Sequence, residues 1–290
     1  MSGSGQLAEY LQACRARLRP QDVGLDTYGE RRRVPGLRRE EVAGLAGVSA
    51  SYYIRLEQGQ SLNASNEVID GIARALRLDP DEREHLRALA RPRRRAVPPP
   101  PVEHVAPATA ELMASMAHVP AVLLGRRTDV LAWNPLGHAL FAGHLDQDAP
   151  RHPDERPNMA RLVFLDAHTR ELYPRWEVKA RAMVGHLRLV AGRHPEDREL
   201  STLIGELVTG SEEFAAMWAD HRVRECDNTE HRMRHPLVGE LTVKQQALLL
   251  PHAPEHRLTF VTAEQGSPSQ AALTLLARAV EGRAARTMST

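Results

Sequence analysis

The 290-residue sequence contains little lysine, cysteine or aromatic side chain. Lys179 and Lys244 are its only lysines, so arginine supplies nearly all of the 38 basic residues. Cys14 and Cys226 are too few for a disulfide scaffold, which favours a reducing compartment. No apolar run approaches the roughly 18–20 residues of a membrane span, and the N-terminal residues lack the apolar core of a signal peptide. We therefore expect a cytoplasmic protein that does not cross a membrane.

An excess of one charge is also lacking in the chain as a whole, although not locally. The formal net charge is +1, which excludes a strongly basic nucleic-acid coat. Residues 15–39, however, hold eight arginines against three acidic residues, a local net charge of +5. Because arginine forms forked hydrogen bonds with phosphate and guanine, this cluster favours a nucleic-acid contact in the N-terminal region.

A second arginine cluster leads into a proline run and indicates a domain boundary. Residues 91–95 contain four arginines, and the sequence of residues 97–101 is VPPPP. Proline cannot continue a helix, and a run of prolines forms a semi-rigid extended spacer. We therefore predict a first domain over residues 1–90, an Arg/Pro-rich linker over 91–106 and a second domain over 107–285.

The first domain is predicted to be all-α, with five short helices. Apolar residues recur at helical spacing in residues 6–19, 37–46, 50–58, 66–76 and 79–90. The second and third of these segments are joined by a glycine turn at Gly47, and Ser49 is a good N-cap for the third. A short helix, a tight glycine turn and a second helix that starts at a serine is the form of a helix-turn-helix.

The helix that follows Ser49 has an outward face suited to a DNA major groove. Leu56 and either Tyr52 or Tyr53 face inward, which leaves small side chains outward in the N-terminal half. The candidates for groove contacts are Ala50, Ser51, Tyr52, Ile54 and Arg55. The candidates for phosphate contacts are Arg33, Arg38, Arg39, Ser49, Asn63 and Ser65. Two packed helices also occur in α domains that bind no DNA, so the prediction rests on these residue types.

Residues 37–59, LRREEVAGLAGVSASYYIRLEQG, resemble the helix-turn-helix of the XRE (lambda-repressor-like) regulator class at nearly every position. The resemblance implies a lambda-repressor-like five-helix domain. Arg39 stands where that class usually has a DNA-contacting glutamine, so Arg39 either contacts a base or only holds a phosphate. One such domain makes few base contacts, and we therefore expect a homodimer on a double-stranded operator with an inverted repeat.

The second domain is predicted to be α+β. Two short apolar strands, residues 121–125 and 129–133, precede a long helical stretch over residues 157–219. Alternating residues then predict three strands, at 229–235, 237–250 and 257–264, and a last helix at 269–281. Two strands, a helical excursion and a three-strand meander is the order of a PAS-like domain, in which helices cover one face of a single antiparallel sheet.

Such a fold can enclose an apolar cavity between helices and sheet. The large side chains that could line it are Trp133, Phe141, Phe164, Trp176, Met217, Trp218, Met233 and Phe260. Side chains of this kind at helical spacing are more often ordinary core. With only 12 aromatic residues in the chain, the core must rest mainly on leucine, valine and alanine.

Five separate segments carry a more specific resemblance. Their sequences are RRRVPGLRREEVAGLAGVS, DVLAWNPLGHALF, NMARLVFLDAHTRELYPRWE, RHPLVGELTV and TAEQGSPSQAALTLLA. From about Leu7 to Arg278 the chain resembles the MmyB-type regulators, which join an XRE helix-turn-helix to a PAS-like ligand-binding domain. The resemblance implies a bacterial transcription regulator that senses a small apolar, fatty-acid-like molecule.

Histidine and cysteine near residue 230 depart from the family pattern and raise the question of a metal. His221, Cys226, His231 and His235 match no compact zinc spacing, and a strand would place His231 and His235 about 13 Å apart. The chain also lacks G-x-S-x-G, H-E-x-x-H and P-loop motifs. We therefore expect no metal, no cofactor and no catalysis. One alternative stays open: a metabolic enzyme for a small apolar substrate, with the helix-turn-helix as a protein-interaction module.

Overall fold

A computed structural model describes residues 3–25, 36–60, 64–90, 103–220 and 228–287. The chain divides into two compact units. Unit 1 comprises Met1–Pro100, Val184–Thr202 and Ala215–Glu225, and unit 2 comprises Pro101–Met183, Leu203–Phe214 and Cys226–Thr290. Unit 1 therefore contains segments of the predicted helical stretch 157–219 in addition to the N-terminal residues.

The N-terminal part of unit 1 is helical, as the apolar spacing predicts. Its described residues form α1 (Gly3–Arg17), α2 (Arg39–Ala46), α3 (Ala50–Glu57), α4 (Asn66–Ala75) and α5 (Pro80–Ala90). Pro20 follows α1 and opens a 3-10 turn, Pro20–Val23. Gly47, in the left-handed region with a φ of 71°, ends α2. The hydroxyl of Ser49 then accepts a hydrogen bond from the backbone N–H of Tyr52 and starts α3.

Unit 2 contains a five-stranded antiparallel sheet with the strand order β2-β1-β5-β4-β3. The strands are β1 (Ala121–Leu124), β2 (Val130–Trp133), β3 (Asn228–His235), β4 (Gly239–Leu250) and β5 (Ala253–Thr262). The all-α plus α+β fold class predicted from the sequence is confirmed. The third predicted strand of the meander begins at Ala253 rather than at residue 257, because β4 and β5 stay paired up to Leu250 and Ala253.

The remaining helices lie before, between or after the strands in the sequence. They are α6 (Pro107–Ser115), α7 (Pro135–Ala142), α8 (Met159–Leu165), α9 (Ala167–Leu172), α10 (Trp176–Arg193), α11 (Arg198–Gly210), α12 (Glu212–Ala219) and α13 (Pro268–Thr287). The predicted alternation in β4 holds only in part. Strict alternation would place Leu237, Leu241, Val243 and Leu249 on one face, but only Leu241 and Val243 are buried, whereas Leu237 and Leu249 are exposed. Leu237 lies in the turn before β4, and Leu249 lies near the end of the hairpin.

Unit 1 has one continuous apolar core. Leu7, Tyr10 and Leu11 of α1 are buried with residues from α2 to α5, and Leu189 of α10 belongs to the same core. Close approach of α2 and α4 depends on Gly71, where an added Cβ would lie 2.6 Å from the carbonyl oxygen of Ala46. The packing of α4 thereby holds α2, the first helix of the helix-turn-helix.

In unit 2, Asn134 fixes α7 to the first strand. Its buried Oδ1 accepts hydrogen bonds from the backbone N–H groups of Ala121 and Gly137, at 3.0 and 2.7 Å. Its Nδ2 donates to the carbonyl oxygens of Met116 and Val119, both at 2.8 Å. A Cβ on Gly137 would lie 2.3 Å from the carbonyl oxygen of Ala121, so glycine is needed where α7 crosses β1.

Candidate functional site

The inner face of α3 is anchored in the core, which leaves its outer face available. Tyr53 and Leu56 are fully buried, so the inward tyrosine is Tyr53 and not Tyr52. The groove candidates lie on the other side. Ser51 and Arg55 are exposed, and Ala50, Tyr52 and Ile54 are half-buried. Small residues thus lie at the exposed start of a firmly anchored helix, and an arginine follows them.

A buried carboxylate that sequence reasoning missed ties three helices together. Glu57, at the end of α3, is fully buried and accepts hydrogen bonds from Arg15 Nε and Nη2 of α1, at 3.1 and 3.0 Å. Arg39 Nε of α2 donates to the same carboxylate at 3.0 Å. Glu57 follows Tyr53 by one helical turn on the inward face, which is the sequence signal that would have indicated it.

The phosphate candidates have structural roles of their own. The backbone N–H of Arg38 donates a hydrogen bond to Glu41 Oε2 at 2.6 Å, and Arg38 is the N-cap of α2. Ser49 and Ser65 cap α3 and α4 by accepting from the N–H groups of Tyr52 and Val68, at 3.2 and 3.4 Å. Each serine therefore uses its hydroxyl oxygen as an acceptor and keeps a proton to donate. Arg33 and Asn63 lie outside the described residues.

The eight large side chains proposed for a ligand cavity lie in several places. Phe164 packs edge-to-face against Trp176 and Phe214, with ring centroids 5.5 and 4.9 Å apart. The indole N–H of Trp176 donates to the carbonyl oxygen of Val163 at 2.6 Å. The guanidinium carbon of Arg170 lies 4.1 Å from the centroid of the Trp176 ring. This cluster is a filled part of the core of unit 2.

The other members of that set are also separated from one another. Met217 and Trp218 belong to unit 1, where the guanidinium of Arg188 lies 4.3 Å from the Trp218 ring. Phe260 packs with the core cluster that includes Met113 of α6. Phe141 is buried in α7, and Met233 lines a polar cavity of about 360 Å³ beside β3 and β4. The structure therefore does not gather the eight residues around one space.

A cavity of about 430 Å³ lies elsewhere in unit 2, between α7, α9, the β3–β4 turn and α13. Its lining residues are Pro135, His138, Ala139, Gly143, His144, Gln147, His168, His235, Pro236, Leu237 and Val280. Four of them are histidines from separate segments of the chain. Trp133 contacts two of these lining residues. Its ring lies 4.9 Å from that of His138, and its N–H donates a hydrogen bond to the Gln147 carbonyl oxygen at 2.7 Å.

Backbone groups fix two of these histidines. His235 Nε2 lies 2.9 Å from the carbonyl oxygen of Ala139, and its Nδ1 accepts from the N–H of Leu237 at 3.3 Å. This pairing defines a neutral ring with the proton on Nε2. His138 Nε2 lies 2.9 Å from the carbonyl oxygen of Leu145. Burial lowers the pKa of His235, which agrees with the neutral form.

The other two histidines form a stacked pair. The rings of His144 and His168 are 4.1 Å apart and inclined by 35°. His144 Nε2 lies 3.3 Å from Oδ2 of Asp166, which caps α9 through Thr169. Burial, with a smaller effect of His144, lowers the pKa of His168 below its usual value. His168 is therefore a neutral ring beside the His144–Asp166 pair at neutral pH.

The histidines near residue 230 do not form a metal centre in the described part of the chain. His231 packs against Tyr173, and burial together with Lys179 lowers its pKa to about 3. His235 lines the cavity instead, and His221 and Cys226 lie outside the described residues. Among the described residues, no group of three histidine, cysteine or acidic side chains is arranged to hold a metal ion.

Comparison with protein families connects the two units to known functions. A helix-turn-helix domain model matches residues 6–86. A model described as the MmyB-like transcription regulator ligand binding domain matches residues 105–276, which is more than half of the chain. The chain belongs to the MmyB-like transcription regulator family. This confirms the resemblance seen in the sequence. A comparison with curated proteins finds no match.

This MmyB-like chain is accordingly a DNA-binding transcription regulator with a ligand-sensing domain. In the described part of the chain, no helix has the length and apolar character needed to cross a membrane. Sequence reasoning predicted the outward face of α3 but not the histidine-lined cavity. The only sequence signal for the cavity was the large number of histidines, 14 in all, and their convergence depends on the fold.

Proposed function

We propose that the protein binds a specific DNA operator by placing the N-terminal half of α3 in the major groove. The observation that carries this proposal is the anchoring of α3. Tyr53, Leu56 and Glu57 hold its inner face while small side chains and Arg55 occupy the outer face. The proposed base contacts come from Ala50, Ser51, Tyr52, Ile54 and Arg55. The proposed phosphate contacts come from Arg33, Arg38, Arg39, Ser49, Asn63 and Ser65.

Of the two roles open to Arg39, we propose the phosphate contact. Its Nε is engaged by Glu57, which restrains the direction of the guanidinium and limits its reach into the groove. The side chain remains 42% exposed, so part of it is accessible to a phosphate at the start of α2. Arg39 would then link the position of the phosphate backbone to the α1–α3 packing.

We further propose that unit 2 is a PAS-like sensor that binds a small, largely apolar molecule, of which a fatty acid is one kind. The 430 Å³ cavity is within the range of about 300–1,000 Å³ typical of small-molecule sites, and most of its lining is carbon. A ligand controls transcription only if it binds two states of the protein unequally.

The active form is proposed to be a cytoplasmic homodimer of the XRE type on an inverted repeat. Each subunit offers one α3 and few base contacts, and useful operator specificity needs two half-sites about one helical turn apart. Genome-wide recovery of DNA bound by the regulator would show a shared inverted repeat. Recovery of unrelated sequences, or of single half-sites only, would contradict the dimer.

Native mass spectrometry of the protein, purified without added ligand, distinguishes the sensor from the enzyme alternative. A sensor is expected to release a bound apolar molecule unchanged after incubation. The four cavity histidines are the observation that favours testing for catalysis. Conversion of the released molecule into a new product over time would support an enzyme instead.

A further inference from the structure

The histidine-lined cavity has polar groups but little charge. Among its lining residues in the described part of the chain there is no lysine, arginine, aspartate or glutamate. Asp166 lies next to this lining, and its Oδ2 already faces His144 Nε2 at 3.3 Å. A protonated His144 is therefore balanced by that carboxylate. A buried anion needs a charged partner to replace its hydration, and this cavity does not offer one in excess.

His235 is held in a form that does not supply positive charge, and a backbone carbonyl fixes the direction of the His138 ring. Both ring nitrogens of His235 are engaged, one as a donor to Ala139 and one as an acceptor from Leu237. Protonation of His235 would remove the acceptor of the Leu237 N–H. His138 directs Nε2 to the Leu145 carbonyl, which leaves Nδ1 as an acceptor in the neutral ring.

Rings from several residues line the cavity. The rings of His144 and His168 stack on each other, and the rings of Pro135 and Pro236 add apolar surface. Planar aromatic molecules pack well against such surfaces by stacking or edge-to-face contact. His168 forms no hydrogen bond with the described residues, so its ring nitrogens are available as acceptor or donor to a bound hydroxyl.

We propose that this cavity takes a neutral, flat aromatic molecule that carries a hydroxyl or a similar hydrogen-bonding group, in preference to a free carboxylate. The inference rests on the proposed function of unit 2 as a ligand sensor. It narrows the ligand class from apolar molecules in general to aromatic alcohols or phenols. The hydroxyl is bound by imidazole nitrogen, at His168 or His138, and the ring system is held between the imidazole and proline surfaces.

The test compares three probes on the full-length protein by isothermal titration calorimetry at neutral pH. Naphthol is neutral and flat, naphthoate has the same rings with a carboxylate, and decanoate represents a fatty acid. We expect naphthol to bind at least about tenfold more tightly than naphthoate or decanoate, a difference of about 1.4 kcal/mol. The variant H168F keeps a flat ring but removes both nitrogens. It should weaken the binding of naphthol several-fold and leave the binding of naphthalene, used as a further probe, unchanged.

A charge added at the rim provides a second measurement. Leu237 lines the cavity and is 57% exposed, so L237K places a cation at the rim of the cavity with little effect on folding. L237K should raise naphthoate affinity relative to naphthol. The matched control is L275K on α13, where a leucine that does not line the cavity is 58% exposed, and it should leave the preference unchanged.

Tighter binding of decanoate or naphthoate than of naphthol would overturn the proposed ligand class. Absence of binding by all three probes, or the same response in L237K and L275K, would overturn the cavity as the site. Operator binding by the same preparation separates these outcomes from failure of the proposed function. A protein that binds its recovered DNA but not naphthol is still a regulator, whereas one that binds no DNA is not.

Discussion

At the scale of single residues, the helix-turn-helix depends on a buried charge as well as on apolar contacts. Glu57 has no exposed surface, and its two arginine partners differ in exposure, with 16% for Arg15 and 42% for Arg39. Arg15 also donates to the carbonyl oxygen of Leu37 at 2.7 Å. A carboxylate buried in this way is stable only while its partners remain.

Replacing the two arginines should therefore have unequal effects on folding. R15M removes the more buried partner and leaves Glu57 with one exposed arginine, so we expect a loss of about 3 kcal/mol in the free energy of unfolding. R39M removes the more exposed partner and should cost about 1 kcal/mol or less. Urea unfolding followed by circular dichroism measures both values. Equal losses would mean that the exposed arginine contributes as much as the buried one.

Two arginines of the helix-turn-helix, Arg55 on α3 and Arg38 at the start of α2, are expected to act differently on DNA. R55A should lower operator affinity by about 1–3 kcal/mol and change the preferred sequence, because Arg55 is proposed to contact a base. R38A should weaken binding to all DNA sequences about equally. It should also reduce the dependence of affinity on salt concentration by about one released counterion.

Fluorescence anisotropy with operator and scrambled DNA at several salt concentrations separates the two effects. R278A, at an exposed arginine of α13 in unit 2, is the control for loss of one positive charge. If R55A and R38A both behave like R278A, the outer face of α3 is not the DNA surface.

At the scale of helices and strands, prediction succeeded where local signals were strong. The glycine turn at Gly47 and the N-cap at Ser49 were predicted, and α2 ends and α3 begins as expected. The start of β5 was missed because pairing with β4 extends the strand through polar residues, which no periodicity indicates. The cavity was missed for a related reason. His138, His168 and His235 lie on three elements that only the fold brings together.

Two glycines give a matched test of helix packing in unit 1. G71A places a methyl group 2.6 Å from the carbonyl oxygen of Ala46, so α2 and α4 must move apart, at a cost of about 1–3 kcal/mol. Gly44, inside α2, has no atom within 4 Å of an added Cβ. G44A should therefore stabilise the protein by up to about 1 kcal/mol through helix propensity. Thermal unfolding of both variants should show shifts of opposite sign.

At the scale of the whole molecule, the compact unit that carries the helix-turn-helix is not confined to the N-terminal residues. Leu189 is buried in the same core as α1 to α5, and Arg193 pairs with Glu84 at 2.8 Å. A Cβ on Gly192 would lie 2.7 Å from the His85 ring, so that part of α10 packs closely against α5. The DNA-binding unit thus includes a segment of the chain that lies within the ligand-binding family match.

A fragment that ends at residue 95 should consequently be less stable than the same helices in the full chain. It retains the residues proposed to contact DNA but loses the burial of Leu189, and it should bind operator more weakly. Urea unfolding of the fragment and of L189A in the full chain should both show a lower midpoint. A fragment as stable as the full-length protein would show that α10 contributes nothing to this core.

Coupling between ligand and DNA gives a quantitative test of regulation by the intact protein. If naphthol changes operator affinity by some factor, operator must change naphthol affinity by the same factor, because both describe one thermodynamic cycle. Anisotropy titrations with and without saturating naphthol give the first factor, and calorimetry with and without operator gives the second. At a naphthol concentration that half-saturates the unaltered protein, H168F should show a smaller change in operator affinity, because it weakens naphthol binding without altering the DNA surface. An equal change in operator affinity in H168F at that concentration would place the regulatory site outside the histidine-lined cavity.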